Sequence, residues 1–293
     1  MKNVLITGSN SFIGTSFEKY INDSFSSDYN IETIDMINID LSSVSFKKYD
    51  VVFHVAGIAH VDITKADEKT KQKYYDVNTH LAINTAKKAK ADGVKQFIFM
   101  SSSIVYGDAA PIGTSKMIYK DTSLSPTNFY GDSKAKAEEG IVMIEDDSFK
   151  VCILRCSKVY GKNSEKNFNT LIKIADSFKF VPYIDNQRSM IYIENLCEFV
   201  RLLIKNNDNG VFFPQNKEYL NTSELIKLIG EYRNKKIILV KGFEWLIKIF
   251  GNFSSLVTKA FGNLTYDKKI SEYKEDYCIC PLEESIRRTV ELK

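Results

Sequence analysis

The chain has little that would commit it to a nucleic acid, a membrane or a metal. Its 40 lysines and arginines nearly balance 37 aspartates and glutamates, leaving a formal charge of +3, so it has no electrostatic footprint for a polyanion. Cysteine is scarce. There are five, an odd number; only Cys278 and Cys280 are close in sequence, and no His/Cys group has zinc-ligand spacing. That usage predicts reduced thiols in a cytoplasmic protein and no metal site. No stretch reaches the ~20 apolar residues of a membrane span. The N-terminal apolar run is too short for a secretory signal, because it stops at a glycine loop. Trp245–Phe261 is rich in large apolar side chains, but Lys248, Asn252 and Lys259 interrupt it. This segment predicts a helix packed inside a cap region rather than one lying on a membrane surface. Repeats, low-complexity tracts and long linkers are also absent.

What is present is an ordinary globular composition, 44% hydrophobic over 293 residues, enough for one large domain or two moderate ones. Apolar runs at Asn3–Thr7, Ile31–Asp35, Asp50–His54, Gln96–Ser101 and Val151–Arg155 alternate with helical stretches such as Tyr75–Asp92 and Tyr130–Asp146. Strands that are apolar almost throughout, separated by helices, predict an α/β fold: a doubly wound parallel sheet covered on both faces, with right-handed crossovers. After Gly161 the pattern loosens. Asn163–Asp185 reads as helix plus loop, Met190–Lys205 as strand then helix, and the chain from Asn216 as a smaller mixed region. The reading is a dinucleotide-binding domain over 1–162, completed by about 188–213, with a smaller interleaved region over 163–187 and 214–293. Such sheets bind ligands at the carboxyl ends of their strands.

The first strand breaks into Gly8-Ser9-Asn10-Ser11-Phe12-Ile13-Gly14. Gly8 suits a tight turn out of the strand, and Gly14 lets the next helix pack closely on the sheet. A helix N-terminus placed there offers free N–H groups to a pyrophosphate. The spacing is wider than G-x-G-x-x-G, and Ser11 stands where a middle glycine is usual; its small hydroxyl can donate to a phosphate oxygen. Asp35, ending the second strand, can accept from ribose hydroxyls, which favours NAD over NADP without deciding between them. Asp40 and Leu41 follow closely and can flank the adenine.

Tyr130 and Lys134 lie four apart on a predicted helix and so share a face. A phenol of pKa ~10 needs its anion stabilised before it can exchange protons at neutral pH, and an ammonium or an oxidised nicotinamide does that. The earlier strand ends in hydroxyls at Ser101-Ser102-Ser103, where the ligand crevice is expected.

With these residues in view, the chain resembles the extended short-chain dehydrogenase/reductases, the NAD-dependent sugar epimerase/dehydratase family with a Rossmann-type sheet. The matches fall in order over the first 160 residues: Thr7-Gly8-x-x-Ser11-x-x-Gly14, His54-Val55-Ala56-Gly57, Asn78, Ser101-Ser102-Ser103-Ile104-Val105-Tyr106-Gly107, Tyr130-Gly131-x-Ser133-Lys134 and Leu154-Arg155-x-x-x-Val159-Tyr160-Gly161. The resemblance implies that Ser102 hydrogen-bonds the sugar oxygen, Tyr130 exchanges the proton, and Lys134 holds the nicotinamide ribose and depresses the tyrosine pKa. It implies NAD(P) as cofactor, with Gly8, Ser11, Phe12, Ile13, Gly14, Val55, Ala56, Gly57 and Asn78 also against it. It places Arg188, in Asn186-Gln187-Arg188-Ser189-Met190-Ile191-Tyr192, on a nucleotide diphosphate, with Ser103 and Asn167 near the UDP-sugar. A homodimer through the two long helices is a family expectation.

Departures narrow the activity. Sugar 4,6-dehydratases of this family carry Asp-Glu after the strand-end hydroxyl; here Ser103 and Ile104 supply neither acid nor base. Cys156 stands where proline is frequent. The tail from Asn263 to Ile286 is similar to that of the capsule and O-antigen reductases. The preferred reading is therefore NAD(P)H-dependent 4-reduction of a UDP-4-keto-6-deoxy-N-acetylhexosamine, giving UDP-N-acetylfucosamine or UDP-N-acetylquinovosamine for a surface polysaccharide. The runner-up is a UDP-hexose or UDP-N-acetylhexosamine 4-epimerase using the same three residues. A non-catalytic dinucleotide sensor is the alternative of another class.

Overall fold

The computed structural model describes residues 1–59, 66–164, 167–242 and 260–291. In chain order the elements are β1 (Lys2–Thr7), α1 (Phe12–Ser24), β2 (Tyr29–Ile34), β3 (Val51–His54), α2 (Glu68–Tyr74), α3 (Ala82–Ala91), β4 (Gln96–Ser102), β5 (Met117–Ile118), α4 (Phe129–Val142), β6 (Lys150–Cys156) and β7 (Lys158–Tyr160). These are followed by α5 (Asn167–Ser177), β8 (Phe180–Pro182), β9 (Met190–Tyr192), α6 (Ile193–Asn206), β10 (Gly210–Phe212), α7 (Thr222–Tyr232), β11 (Ile238–Val240), β12 (Thr265–Tyr266) and α8 (Leu282–Val290). The chain divides into two compact units. The first is Met1–Gly107, Ser123–Cys156 and Cys197–Pro214; the second is Asp108–Thr122, Ser157–Leu196 and Gln215–Lys293. The second unit thus takes up the chain from Ser157, ahead of the boundary at 163 suggested by the loss of pattern, and contains Arg188.

The first unit is a six-stranded sheet in the order β10-β6-β4-β3-β1-β2, and every pairing is parallel. This is the Rossmann-type α/β architecture that the alternation predicts. The inner strands read as unbroken apolar runs because both faces are covered: Val4–Ile6, Val51–Phe53 and Phe97–Phe99 are all buried. On one face, Ala82, Ala86 and Ala89 of α3 lie one helical turn apart and pack with Ala137 and Ile141 of α4 over Phe97, Phe99 and Ile153. Small side chains let the helices come close, and a Cβ at Gly140 would sit 2.3 Å from Ile83 Cδ1.

Element limits agree with the sequence reading to within a few residues, with one informative difference. The stretch read as one helix, Tyr75–Asp92, starts at Glu68 and is interrupted by a π-helical segment, Tyr75–Leu81. Periodicity of 3.6 carries no sign of this widening, which recurs at functional sites. In the second unit the strands form three two-stranded parallel pairs, β5·β12, β7·β9 and β8·β11. Of Trp245–Phe261, residues 245–259 lie outside the described residues, and Ala260–Phe261 are helical. All five cysteines are free thiols, four of them buried. Among the described residues no helix is long and apolar enough to cross a membrane, and no group of His, Cys, Asp or Glu could hold a metal ion.

Candidate active site

The glycine loop closes against the end of β3. Gly8 has φ +104°, a left-handed value, and a Cβ there would lie 2.8 Å from Ala56 N and 2.9 Å from Ala56 Cα. Gly8 N and Ser9 N donate to Ile34 O at 2.9 and 3.1 Å, which ties the loop to β2. Ser11 is the N-cap of α1, and its hydroxyl accepts from Gly14 N at 3.1 Å. The serine therefore occupies one of the first-turn N–H groups, while those of Phe12 and Ile13 have no partner within the helix. Gly8→Ala is expected to lose NAD(P) binding and several kcal/mol of stability, since strain and a backbone clash coincide. Dinucleotide titration and urea denaturation check it; wild-type affinity would contradict the cradle.

Asp35 follows directly on Ile34 and is exposed, and one of its oxygens accepts from Ile37 N at 2.9 Å. Asp40 caps a short 3-10 turn, accepting from Ser42 N at 2.9 Å and Ser42 Oγ at 2.7 Å, bonds that hold its carboxyl below the usual range. Leu41 packs against the core of the unit. Asp40 and Leu41 thus have local duties that the sequence did not disclose.

The hydroxyl end of β4 meets the start of α4. Asn128 caps α4, accepting from Gly131 N at 3.0 Å. A Cβ at Gly131 would lie 2.7 Å from Ile104 O, so only glycine lets α4 approach the turn Ser103–Tyr106 this closely. The neighbouring Tyr130 hydroxyl is thereby brought to hydrogen-bond Ser102. Ser102 in turn caps that turn, accepting from Ile104 N at 3.3 Å, and Ser103 begins it.

Lys134, one turn along α4 from Tyr130, is buried. Its Nζ donates to Met100 O at 2.9 Å, lies 4.6 Å from the centre of the Phe99 ring and sits beside Gly57, whose Cβ would be 3.2 Å from it. Asn78, fully buried on the π-helical segment, accepts from Ile58 N at 2.8 Å and donates to Ser133 Oγ at 3.2 Å. The tyrosine is not made acidic by the lysine. Burial, reinforced by Tyr74, pushes the Tyr130 phenol up to about 12, against a smaller lowering by Ser102; Lys134 is not among the groups acting on it. Desolvation outweighs a cation directed at another target.

Burial lowers Lys134 to about 8, with Glu138 opposing. Its folded pKa lies below the ordinary lysine value of 10.5, so the folded state binds fewer protons between those limits, and stability from this group rises as pH climbs from about 8 to 10.5. Lys134→Met is accordingly predicted to be more stable than wild type at pH 7, with an advantage of up to about 3 kcal/mol that fades by pH 10. Urea midpoints of the two proteins at both pH values test this; a constant difference would refute it.

Beneath these groups lies a network that sequence reasoning missed. Glu138, buried on α4, accepts from Arg155 Nε at 2.9 Å, Arg155 Nη2 at 2.8 Å and the Ser101 hydroxyl. Arg155 Nη1 also donates to Tyr106 Oη at 2.6 Å. The only hint was that Glu138 lies one turn beyond Lys134 and two beyond Tyr130. His54 is likewise buried, hydrogen-bonded through Nδ1 to Thr7 Oγ1 at 2.7 Å and held neutral, with burial lowering its pKa to about 3.

The residues present fit a dinucleotide: two bare Cα positions at Gly8 and Gly57, a capped helix start at Ser11, and a buried ammonium beside Gly57. A model of the NAD dependent epimerase/dehydratase family matches residues 4–214. The chain belongs to this family. It is an NAD(P)-dependent enzyme of the nucleotide-sugar epimerase, dehydratase and reductase type. It is 30% identical to a UDP-glucose 4-epimerase of Vibrio cholerae, covering 94% of this chain and 89% of that protein. It is 29% identical to N-acetyl-alpha-D-glucosaminyl-diphospho-ditrans,octacis-undecaprenol 4-epimerase of Escherichia coli O157:H7, covering 80% and 73%. Among solved structures, a UDP-glucuronic acid 4-epimerase of Bacillus cereus in complex with NAD shares the fold at a TM-score of 0.73 and 19% identity, covering 98% and 97%.

In the second unit, Arg188 is fixed by its backbone. It pairs with Leu220 through bonds of 3.0 and 2.9 Å, and Ser189 N donates to Leu264 O at 2.9 Å. Asn167 is the first residue of α5, next to the buried Phe168.

Proposed function

We propose that the protein interconverts the configuration at carbon 4 of a UDP-hexose or UDP-N-acetylhexosamine, as a 4-epimerase. The observation that carries this reading is the hydrogen-bonded pair of Ser102 and Tyr130, a strand-end hydroxyl and an un-ionised phenol, on a chain whose relatives include two 4-epimerases matched over most of their length. Bound NAD would accept a hydride from carbon 4 and return it. The chain's part is to hold and move a proton: Ser102 donates to the carbon-4 oxygen, and Tyr130 Oη exchanges a proton with it. Gly8, Ser11, Phe12, Ile13, Gly14, Asp35, Val55, Ala56, Gly57, Asn78 and Lys134 would hold the cofactor. Ser103, Asn167 and Arg188 would hold the substrate.

The UDP-4-keto-6-deoxy-N-acetylhexosamine 4-reductase reading uses the same pair, and the Asn263–Ile286 tail favours it. Dehydration is disfavoured, because Ser103 and Ile104 place no carboxyl group after Ser102. NMR of reactions with UDP-glucose, UDP-N-acetylglucosamine and a UDP-4-keto-6-deoxy sugar, with NADH absorbance followed throughout, separates the readings. Epimer formation without net loss of NADH supports the first. Stoichiometric NADH loss with the keto sugar alone overturns it in favour of the second. We place the protein in the cytoplasm, where UDP-sugars are made, and propose a homodimer.

A further inference from the structure

Strand β12 runs into a short 3-10 turn, Lys268–Ser271, whose start is fixed by Asp267: its carboxylate accepts from Lys269 N at 2.8 Å. Lys268 thereby comes to line a cavity of about 460 Å³ in the second unit. The other charged or titratable groups on its wall are Lys217, Glu272, Lys274, Glu275, Asp276 and Cys278. Lys217 is ion-paired with Asp276. Lys268 is held otherwise: its Nζ lies 3.8 Å from the centre of the Tyr219 ring and donates to Asn216 O at 3.2 Å. A ring face and a neutral carbonyl oppose loss of the charge less than a contacting carboxylate does.

Burial lowers the Lys268 amine to about 8, with Glu218 and Cys278 opposing. Lys134 is lowered as far but is itself buried, whereas Lys268 is half-buried and borders open space. Only the neutral amine is a nucleophile. At pH 7.5 about a quarter of Lys268 is neutral, against about a thousandth of an ordinary lysine. We propose that Lys268 is an acylation site for small activated acyl donors, the acyl phosphates or acyl thioesters. The Nζ lone pair attacks the carbonyl carbon and a C–N bond forms. The bond from that carbon to the phosphate oxygen or thiol sulfur breaks, the leaving group departs with the electron pair, and a proton from Nζ passes to water. The product is a neutral amide, which gives up the charge held over Tyr219. Asn216 is the residue that feels the change. Its carbonyl accepts from Lys268 Nζ, while its side chain accepts from Tyr192 N at 3.0 Å and donates to Tyr160 Oη at 2.9 Å. Acylation therefore loosens the segment that ties β7 to β9.

The test incubates the full chain with acetyl phosphate, or in a second arm with acetyl-CoA, over a range of pH and maps the modified lysines by peptide mass spectrometry. Lys269, the exposed neighbour, is the internal reference. At pH 7.5 Lys268 should be acetylated at least about tenfold faster than Lys269 by one donor or both. Its rate should be half-maximal near pH 8. Glu218→Gln removes a charge that opposes the lowering, so the midpoint should move down and the rate at pH 7 should rise. Amide hydrogen exchange at Asn216 and Lys217 should be faster in the acetylated protein. Equal rates at Lys268 and Lys269 with both donors, or a midpoint above pH 10, would overturn the acylation site even if Glu218→Gln does not fold. Exchange unchanged by acetylation would overturn its action on Asn216.

Discussion

Tyr130→Phe should lower kcat by roughly a thousandfold while leaving the fold and NAD(P) affinity as they are, because general acid–base groups contribute on that scale. The substitution removes one oxygen. The ring keeps its edge-on contact with Tyr74, at 5.9 Å between centroids, and the bond to Ser102 is the hydrogen bond that is lost. The phenol's raised pKa of about 12 makes it a proton donor that stays un-ionised through the physiological range. A neutral donor suits protonation of an alkoxide developing at carbon 4. Removing a proton from the sugar hydroxyl calls for a phenolate, so a positive charge must arrive with the ligands. Tyrosinate absorbance titrated with and without NAD should accordingly show one phenol shifting downward in wild type and none in Tyr130→Phe. The KM for the sugar should change little, since the oxygen does its work as charge develops. A fall in kcat of less than tenfold would take Tyr130 out of the chemistry.

What the sequence made legible was whatever follows from local pattern. The apolar runs Val4–Ile6, Val51–Phe53 and Phe97–Phe99 announce buried parallel strands because each is covered on both faces. Gly8 announces a turn because few other residues adopt its φ, and Tyr130 and Lys134 share a helix face by spacing alone. Direction of reach was not legible. Lys134 lies one turn from Tyr130, yet its ammonium goes to Met100 O and Gly57, because that carbonyl and the bare Cα lie across the sheet end and not along the helix. The same holds for Asp40, whose chance to meet a ligand competes with a cap two residues away. Charges neutralised by residues distant in sequence were invisible for the same reason. Glu138 and Arg155 are 17 residues apart, on a helix and a strand that pack together only in the fold.

That buried pair gives the largest expected effect on stability. Glu138→Ala should cost about 3–5 kcal/mol, the penalty for removing one member of a buried ion pair and stranding the other. Arg155 would keep Tyr106 Oη and lose both contacts of its guanidinium with Oε2 of Glu138. The Ser101 hydroxyl would lose its acceptor as well, and Ser101 is the residue directly before Ser102. Against a typical domain stability of about 5–15 kcal/mol this is a large fraction, so the variant should show an earlier urea midpoint and a lower kcat together. Glu138→Gln keeps size and an acceptor oxygen but not the charge, and should fall between Ala and wild type. The attribution to a stranded charge is checked by the double variant Glu138→Met with Arg155→Met. Removing both partners in favour of apolar side chains should recover most of the lost stability, since desolvating two charges offsets much of what their attraction supplies. A double variant no more stable than Glu138→Ala would show that packing around the strand end, and not the ion pair, sets the cost. A single-variant loss under about 1 kcal/mol would place the pair with the exposed ion pairs of the surface, which contribute little.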